Sequence, residues 1–245
     1  MITLDAPAKL TWFLEVTGRR PDGYHELRSE MTTLALADEL TLSDGDGLVV
    51  RGDYPVPAGD DNLVRRALAL VGRRARVELV KRIPPGGGLG GGSADAAAVL
   101  RWAGGVEPRR ALTLGGDVPF CQLGGRALVE GVGEVLTPLA YRERSVTLLL
   151  VDFAVSTAEC YRAYDEMIAD GWRPQGRNHL EAAARRVEPR LARALDWARA
   201  HWGEVTLAGS GSTLFVEGHI DPGASAWDVR GPDGAVRMLQ TTTKP

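Results

Sequence analysis

The chain has 245 residues, 29 Lys+Arg against 32 Asp+Glu and a formal net charge of −3, with 44% apolar and 25% charged residues. The apolar fraction is that of a folded globular protein. No uncharged apolar run approaches the roughly 20 residues of a membrane-spanning helix, and the slightly acidic balance speaks against general nucleic-acid binding.

Two cysteines, Cys121 and Cys160, exclude a disulfide framework and fit a reducing compartment. No secretory signal is visible in residues 1–10, so a cytoplasmic location is expected. Residues 10–16 read as a strand, followed by turn chemistry at Gly18-Arg19-Arg20-Pro21-Asp22-Gly23. Residues 31–36 and 39–43 are β-prone. Asp61 or Asn62 is placed to cap a helix over 63–71, where apolar residues recur at helical spacing. Residues 75–83 alternate as a half-buried strand does, and Pro84-Pro85 ends it. A glycine tract then opens onto an Ala-rich helix over 94–103. Gly115-Gly116-Asp117-Val118-Pro119 is a tight turn, and 126–130 is β-prone.

A new pattern starts with a strand at 146–153. Residues 156–170 and 178–201 read as helices, the second carrying Leu180, Ala184, Val187, Leu191, Leu195 and Ala198 on one stripe. Asn178 and Glu181 resemble a capping box, and Pro189 should restart or kink that helix. Residues 205–207, the loop Gly209-Ser210-Gly211-Ser212 and residues 213–216 read as strand, glycine loop, strand, with a last strand at 236–241. The order predicts an α+β protein in two parts, 1–143 and 144–245.

The tract Gly86-Gly87-Gly88-Leu89-Gly90-Gly91-Gly92-Ser93 cannot be the interior of a helix or strand. Without Cβ atoms its backbone can take positive φ and approach a ligand closely. The helix behind it offers unpaired N–H groups and partial positive charge, which suit phosphate. The plainer reading is a flexible loop with Ser93 as a helix cap. No Gly-Lys-Ser/Thr follows, so this is not a Walker A loop. A GxGxxG match is present, but Pro84-Pro85 breaks the strand-to-turn run that a dinucleotide fold needs.

Other residues carry chemistry by type and place. Asp117 in its tight turn is a candidate proton acceptor, or else serves that turn through an Asx hydrogen bond. Only Lys9, Lys81 and Lys244 are lysines among the 29 basic residues. Lys9, at the start of the first strand, is either a solvated surface group or a compact ammonium partner for Asp117. Tyr24 and His25 follow a Pro-Asp-Gly turn and suit stacking on a base and bonding its edge. His179, His201 and His219 show no metal-ligand spacing, so zinc is not expected.

Pro84-x-x-x-Gly88-Leu89-Gly90-Gly91-Gly92-Ser93 resembles the signature of the GHMP kinases: galactokinase, homoserine kinase, mevalonate kinase and relatives. Pro7-Ala8-Lys9-Leu10, Asp61-Asn62-Leu63, Gly115-Gly116-Asp117-Val118-Pro119-Phe120 and Gly209-Ser210-Gly211-Ser212 occur in that family's order, and the likeness covers residues 6 to about 217. It implies a two-domain fold, with an N-terminal domain like domain 2 of ribosomal protein S5 and a ferredoxin-like C-terminal domain. It implies ATP and Mg²⁺, and a Lys9–Asp117 pair in which Asp117 takes the proton of the acceptor hydroxyl. ATP would lie on Pro85, Gly86, Gly87, Gly88, Leu89, Gly90, Gly91, Gly92 and Ser93. Ser93 would cap the helix, bind phosphate or help to hold Mg²⁺. Asp95 would point aside, or toward metal or nucleoside. Asn62 is the adenine contact or a helix cap.

The segment Arg20-Pro21-Asp22-Gly23-Tyr24-His25 resembles one branch of the family, which phosphorylates the 2-hydroxyl of a CDP-linked methylerythritol in the non-mevalonate isoprenoid pathway. That implies substrate contacts at Thr11, Tyr24, His25, Tyr161, Gly209, Ser210 and Gly211, with Tyr161 on one face of the cytosine, its alternative being a half-buried core aromatic. Partners would be small molecules only, with no nucleic acid or membrane, in a monomer or weak homodimer. Thr11 stands where the family has Asn, the segment 101–114 is short, and 219–231 lacks the helix expected there. Another small-molecule GHMP kinase, or a non-catalytic metabolite sensor on the same scaffold, is the alternative.

Overall fold

The computed structural model describes residues 1–220 and 228–245. In chain order it has β1 (Ile2–Arg19), β2 (His25–Ser43), β3 (Gly47–Gly52), α1 (Leu63–Leu70), β4 (Arg76–Lys81), α2 (Gly91–Trp102), α3 (Pro108–Ala111), α4 (Val118–Leu123), β5 (Arg126–Gly131) and β6 (Val135–Pro138). There follow β7 (Ser145–Leu150), α5 (Thr157–Ala169), α6 (Glu181–Val187), α7 (Pro189–Trp202), β8 (Thr206–Leu207), β9 (Leu214–Glu217), β10 (Asp228–Gly231) and β11 (Gly234–Lys244). The fold is α+β.

β1 and β2 form a long antiparallel hairpin, with register shifts between Pro7 and Lys9, between Thr11 and Phe13, and between Val16 and Gly18. Gly23 turns the hairpin at φ 91°. The middle of β1 is covered on both faces, so Lys9 and Thr11 are buried like Leu10 and Trp12 beside them. The two expected β segments at 31–36 and 39–43 are one strand. The charged Asp38 that seems to break the pattern is buried, and its carboxylate accepts from the backbone N–H of Ile83 just beyond β4 and pairs with Lys81 at the end of β4.

Ala94, Ala96, Ala97 and Ala98 of α2 are all buried in the first core, with Val64 of α1 and Leu40, Val77 and Leu79 of the sheet. Small side chains let α2 lie close against β1. A second core lies under α7 and β9, around Leu191, Leu195, Leu207 and Leu214. A third joins the two halves: Leu10, Trp12, Leu34 and Leu89 pack with Leu148, Ala208 and Phe215. The last strand completes the connection, pairing β7 along 237–242 and β2 at Thr243 and Lys244. The main path of strands runs β3-β4-β2-β11-β7-β9-β8, with only the β3–β4 pair parallel.

The helix expected over 178–201 is two helices. Glu188 ends α6, and Pro189 opens α7 at its first position, where a missing N–H costs nothing. The Asn178/Glu181 capping box does not form. Leu180 occupies the cap, Asn178 bonds elsewhere, and Glu181 faces Arg199. β3 was not expected, because Val49 and Val50 sit in a short run between glycines. The segment 219–231, where a helix was in question, lies largely outside the described residues at 221–227.

Candidate active site

Lys9 begins the site. Its backbone N–H donates to the carbonyl of Leu89 at 3.0 Å, which ties β1 to the first glycine loop. Its Nζ lies 3.3 Å from Asp117 Oδ2 and donates to Thr11 Oγ1 at 3.1 Å. A Cβ on Gly90 would stand 2.8 Å from Lys9 Cγ, and one on Gly209 would stand 3.4 Å from Lys9 Nζ. The lysine therefore lies between two glycine loops, and Gly90 comes as close to it as it does only because it lacks a side chain. Asp117 precedes α4 and makes no capping bond there, so the Asx alternative is not realised and its carboxylate is left to Lys9. Its side chain is 33% exposed, against 5% for Lys9.

The two loops also touch each other. Thr213 N–H donates to Gly87 O at 3.1 Å, and a Cβ on Gly88 would collide with the Ala208 carbonyl. Gly86, Gly88 and Gly90 all have positive φ. Leu89 is drawn into the third core, and its side chain is fully buried rather than facing the cavity. α2 starts at Gly91, earlier than its composition predicts, and the expected cap at Ser93 is not used. Gly90 caps the helix with no side-chain bond, so the first N–H groups of α2 have no intrahelical partner and point out as donors for an anion.

Asn62 does cap α1: its Oδ1 accepts from Val64 N–H at 2.9 Å and its Nδ2 donates to Pro57 O at 2.8 Å. It also lines a cavity of about 460 Å³ with Pro85, Gly87, Gly91 and Ser93. Asp95 does not face the loop's outer side. It is buried, and its Oδ2 accepts from Lys81 Nζ at 2.8 Å, while Lys81 also pairs with Asp38. One ammonium cannot neutralise two carboxylates. Burial raises the Asp95 pKa to about 7, Lys81 pulls it down less, and Asp38 adds to the rise.

A second cavity, of about 1100 Å³, meets the first. Ser93, Asp117, Thr157 and Tyr161 line both, and Tyr24, His25 and Gly116 line the second. The structure brings His25 and Tyr161 together as a stack, with centroids 4.6 Å apart and planes 19° apart. Tyr24 stands at the rim, 67% exposed. Burial, with Asp117 adding to it, holds the Tyr161 phenol well above its ordinary pKa. Ser210 shares a 2.7 Å hydrogen bond with Thr157 and so fixes the second glycine loop to the start of α5. Gly211 has φ 95° and packs against Leu207, Leu191 and Val155.

Sequence reasoning missed Asn178. Its Nδ2 donates to Leu207 O at 2.9 Å and Gly209 O at 2.7 Å, and its Oδ1 accepts from Leu180 N–H at 3.0 Å. The adjoining backbone bonds β1 on both sides, Leu14 N–H to Arg177 O and His179 N–H to Leu14 O. Nothing in the local sequence separates this joint from an ordinary helix cap. Asp165 was missed too: its Oδ1 lies 2.7 Å from His25 Nε2.

A hydroxyl placed against Asp117 would have a proton acceptor, a neighbouring ammonium and a phosphate cradle within one space. That is the equipment of phosphoryl transfer.

The family profile described as "GHMP kinases N terminal domain" matches residues 62–125. The chain is 40% identical over 231 residues to 4-diphosphocytidyl-2-C-methyl-D-erythritol kinase of Paracoccus denitrificans, covering 86% of this chain and 84% of the relative. It is 37% identical over 240 residues to the kinase of that name from Pseudomonas syringae pv. tomato, covering 87% and 84%. Among solved structures, a crystal structure of 4-(cytidine 5'-diphospho)-2C-methyl-D-erythritol kinase matches with a TM-score of 0.71 and 33% identity, over the whole of both chains.

Proposed function

The chain belongs to the 4-diphosphocytidyl-2-C-methyl-D-erythritol kinases of the GHMP superfamily, and on that footing we propose that it transfers the γ-phosphoryl group of ATP to the 2-hydroxyl of a CDP-linked methylerythritol. The observation that carries the mechanism is the Lys9–Asp117 pair, set where two glycine loops and two cavities meet.

The nucleotide occupies the smaller cavity, its phosphates against the backbone of residues 86–93 and the open N–H groups at the start of α2, its base toward Asn62. The cytidyl group occupies the larger cavity near His25 and Tyr161. Asp117 accepts the proton as the substrate oxygen forms its bond to the γ-phosphorus. The bond from that phosphorus to the β,γ-bridging oxygen breaks, its electron pair leaving with ADP. Lys9 holds Asp117 in place and steadies the charge on the attacking oxygen. Thr11, in the place of the family's Asn, accepts from Lys9 and so fixes the ammonium. Asp95, turned to Lys81, keeps its charge off the phosphates.

Among the described residues no three acidic, His or Cys side chains gather as a metal site. A Mg²⁺ ion brought with the nucleotide would supply charge neutralisation, and Ser93, which lines both cavities and is not used as a helix cap, would help to hold it. No described helix is long and apolar enough to cross a membrane. We place the enzyme in the cytoplasm, as a monomer or weak homodimer with small-molecule partners, its two domains meeting near residue 143.

The product decides the reading. Phosphorus NMR of the reaction mixture should show one new phosphomonoester on the 2-oxygen of the methylerythritol, with the diphosphate unchanged. A phosphate on another oxygen, or hydrolysis of ATP without transfer, would contradict it.

A further inference from the structure

His25 opens β2 on one side of the larger cavity, and α5 faces it from the other half of the chain. Tyr161, Tyr164 and Asp165 lie at helical spacing on one face of α5, and all three meet the imidazole. Tyr161 stacks on it, Tyr164 meets it edge-on at 6.1 Å and 90°, and Asp165 Oδ1 bonds Nε2 at 2.7 Å. The other carboxylate oxygen, Oδ2, lies 3.5 Å from Arg19 Nη1. The His25 side chain is only 8% exposed, so its ring is held from three directions.

An ionised carboxylate only accepts, so the nitrogen facing it must carry a proton. In a neutral imidazole with Nε2–H, the remaining Nδ1 has a lone pair and no proton, and it only accepts. His25 Nδ1 has no hydrogen bond among the described residues, and His25 lines the cavity. The edge that the ring offers to a ligand is thus set by a residue that need not touch the ligand.

We propose that Asp165 is a specificity-positioning residue: by fixing the Nε2–H tautomer of His25 it makes the pocket favour a base that presents an amino donor over one that presents a carbonyl. Under the function proposed above, on which this rests, cytosine is selected over uracil, since the two bases differ in having an amine or a carbonyl at the same edge position. One hydrogen bond lost, with its acceptor left facing a carbonyl, corresponds to a preference of about tenfold or more.

The test needs no turnover. Calorimetry with CDP and UDP on the wild-type chain should give CDP the tighter binding by about tenfold or more. In Asp165→Ala the imidazole is free to exchange tautomers, and the preference should shrink to about threefold or less. Asp165→Asn can accept or donate at the same place, so it should also lose much of the preference while keeping the fold. Nitrogen-15 NMR of the His25 ring in the wild type should show a protonated Nε2 and a bare Nδ1 at pH 8. A CDP/UDP ratio unchanged in both variants, even with both affinities lowered, would mean that Asp165 serves only the fold and would overturn the proposal. So would a protonated Nδ1 in the wild type. If the wild type prefers CDP in an Asp165-dependent way but does not phosphorylate the CDP-linked substrate, the functional reading fails and this inference stands. The converse result fails this inference alone.

Discussion

At the scale of single residues, the proposed chemistry rests on a lysine and an aspartate that lie more than a hundred positions apart in the chain and 3.3 Å apart in space. Asp117→Asn keeps the shape and removes the proton acceptor. Turnover should fall by at least about 10²-fold, the low end for a positioned general base, while nucleotide affinity from calorimetry stays within a few-fold. Near-normal turnover would remove Asp117 from the mechanism. Lys9 was legible because lysine is rare in an arginine-rich chain, and Asp117 because its turn is rigid. Asp95 was legible as a residue of the loop's helix but not in its direction. Its partners Asp38 and Lys81 come from the strands β2 and β4, and no local pattern announces them. With its pKa raised to about 7, Asp95 holds its proton in the folded state over a range where the unfolded chain has lost it. Its contribution to stability is therefore complete below about pH 4 and is lost as pH rises through about 7. Thermal denaturation should show wild-type stability falling between these pH values relative to Asp95→Asn, whose neutral amide does not titrate. Parallel pH profiles for the two proteins would contradict the buried-cluster description.

At the scale of elements, two glycine loops make the cradle and one asparagine holds the second of them. The first loop was plain in the sequence, since six glycines in seven positions have few structural uses. The contact of Gly88 with Ala208 was not, because it joins segments from opposite halves of the chain. Asn178 shows the limit most clearly: its spacing to Glu181 suggests a helix cap, yet its amide serves Leu207 and Gly209. Asn178→Asp keeps the acceptor for Leu180 N–H and removes both donors, leaving two carbonyls facing a carboxylate. We expect kcat to fall by about tenfold or more, because Gly209 sits over Lys9. Hydrogen exchange at residues 208–213 should rise in that variant. An unchanged kcat with slow exchange retained would show that the loop holds itself.

At the scale of the whole molecule, the site exists only because the halves are joined. Lys9, Thr11, His25 and Asp117 come from the first, and Tyr161, Gly209 and Ser210 from the second. A shared core and the last strand, which pairs β2 and β7, fix them as one body. The sequence pattern foretold an α+β order, but it did not foretell that the chain's final strand would pair with both β2 and β7. Pairing over such separations is decided by packing that no short window contains. The decisive measurement is ADP release with equal concentrations of CDP-linked methylerythritol, mevalonate, homoserine and galactose. The predicted result is a kcat/KM for the CDP-linked substrate exceeding each of the others by at least about 10²-fold. Faster turnover of any of the other three would contradict it.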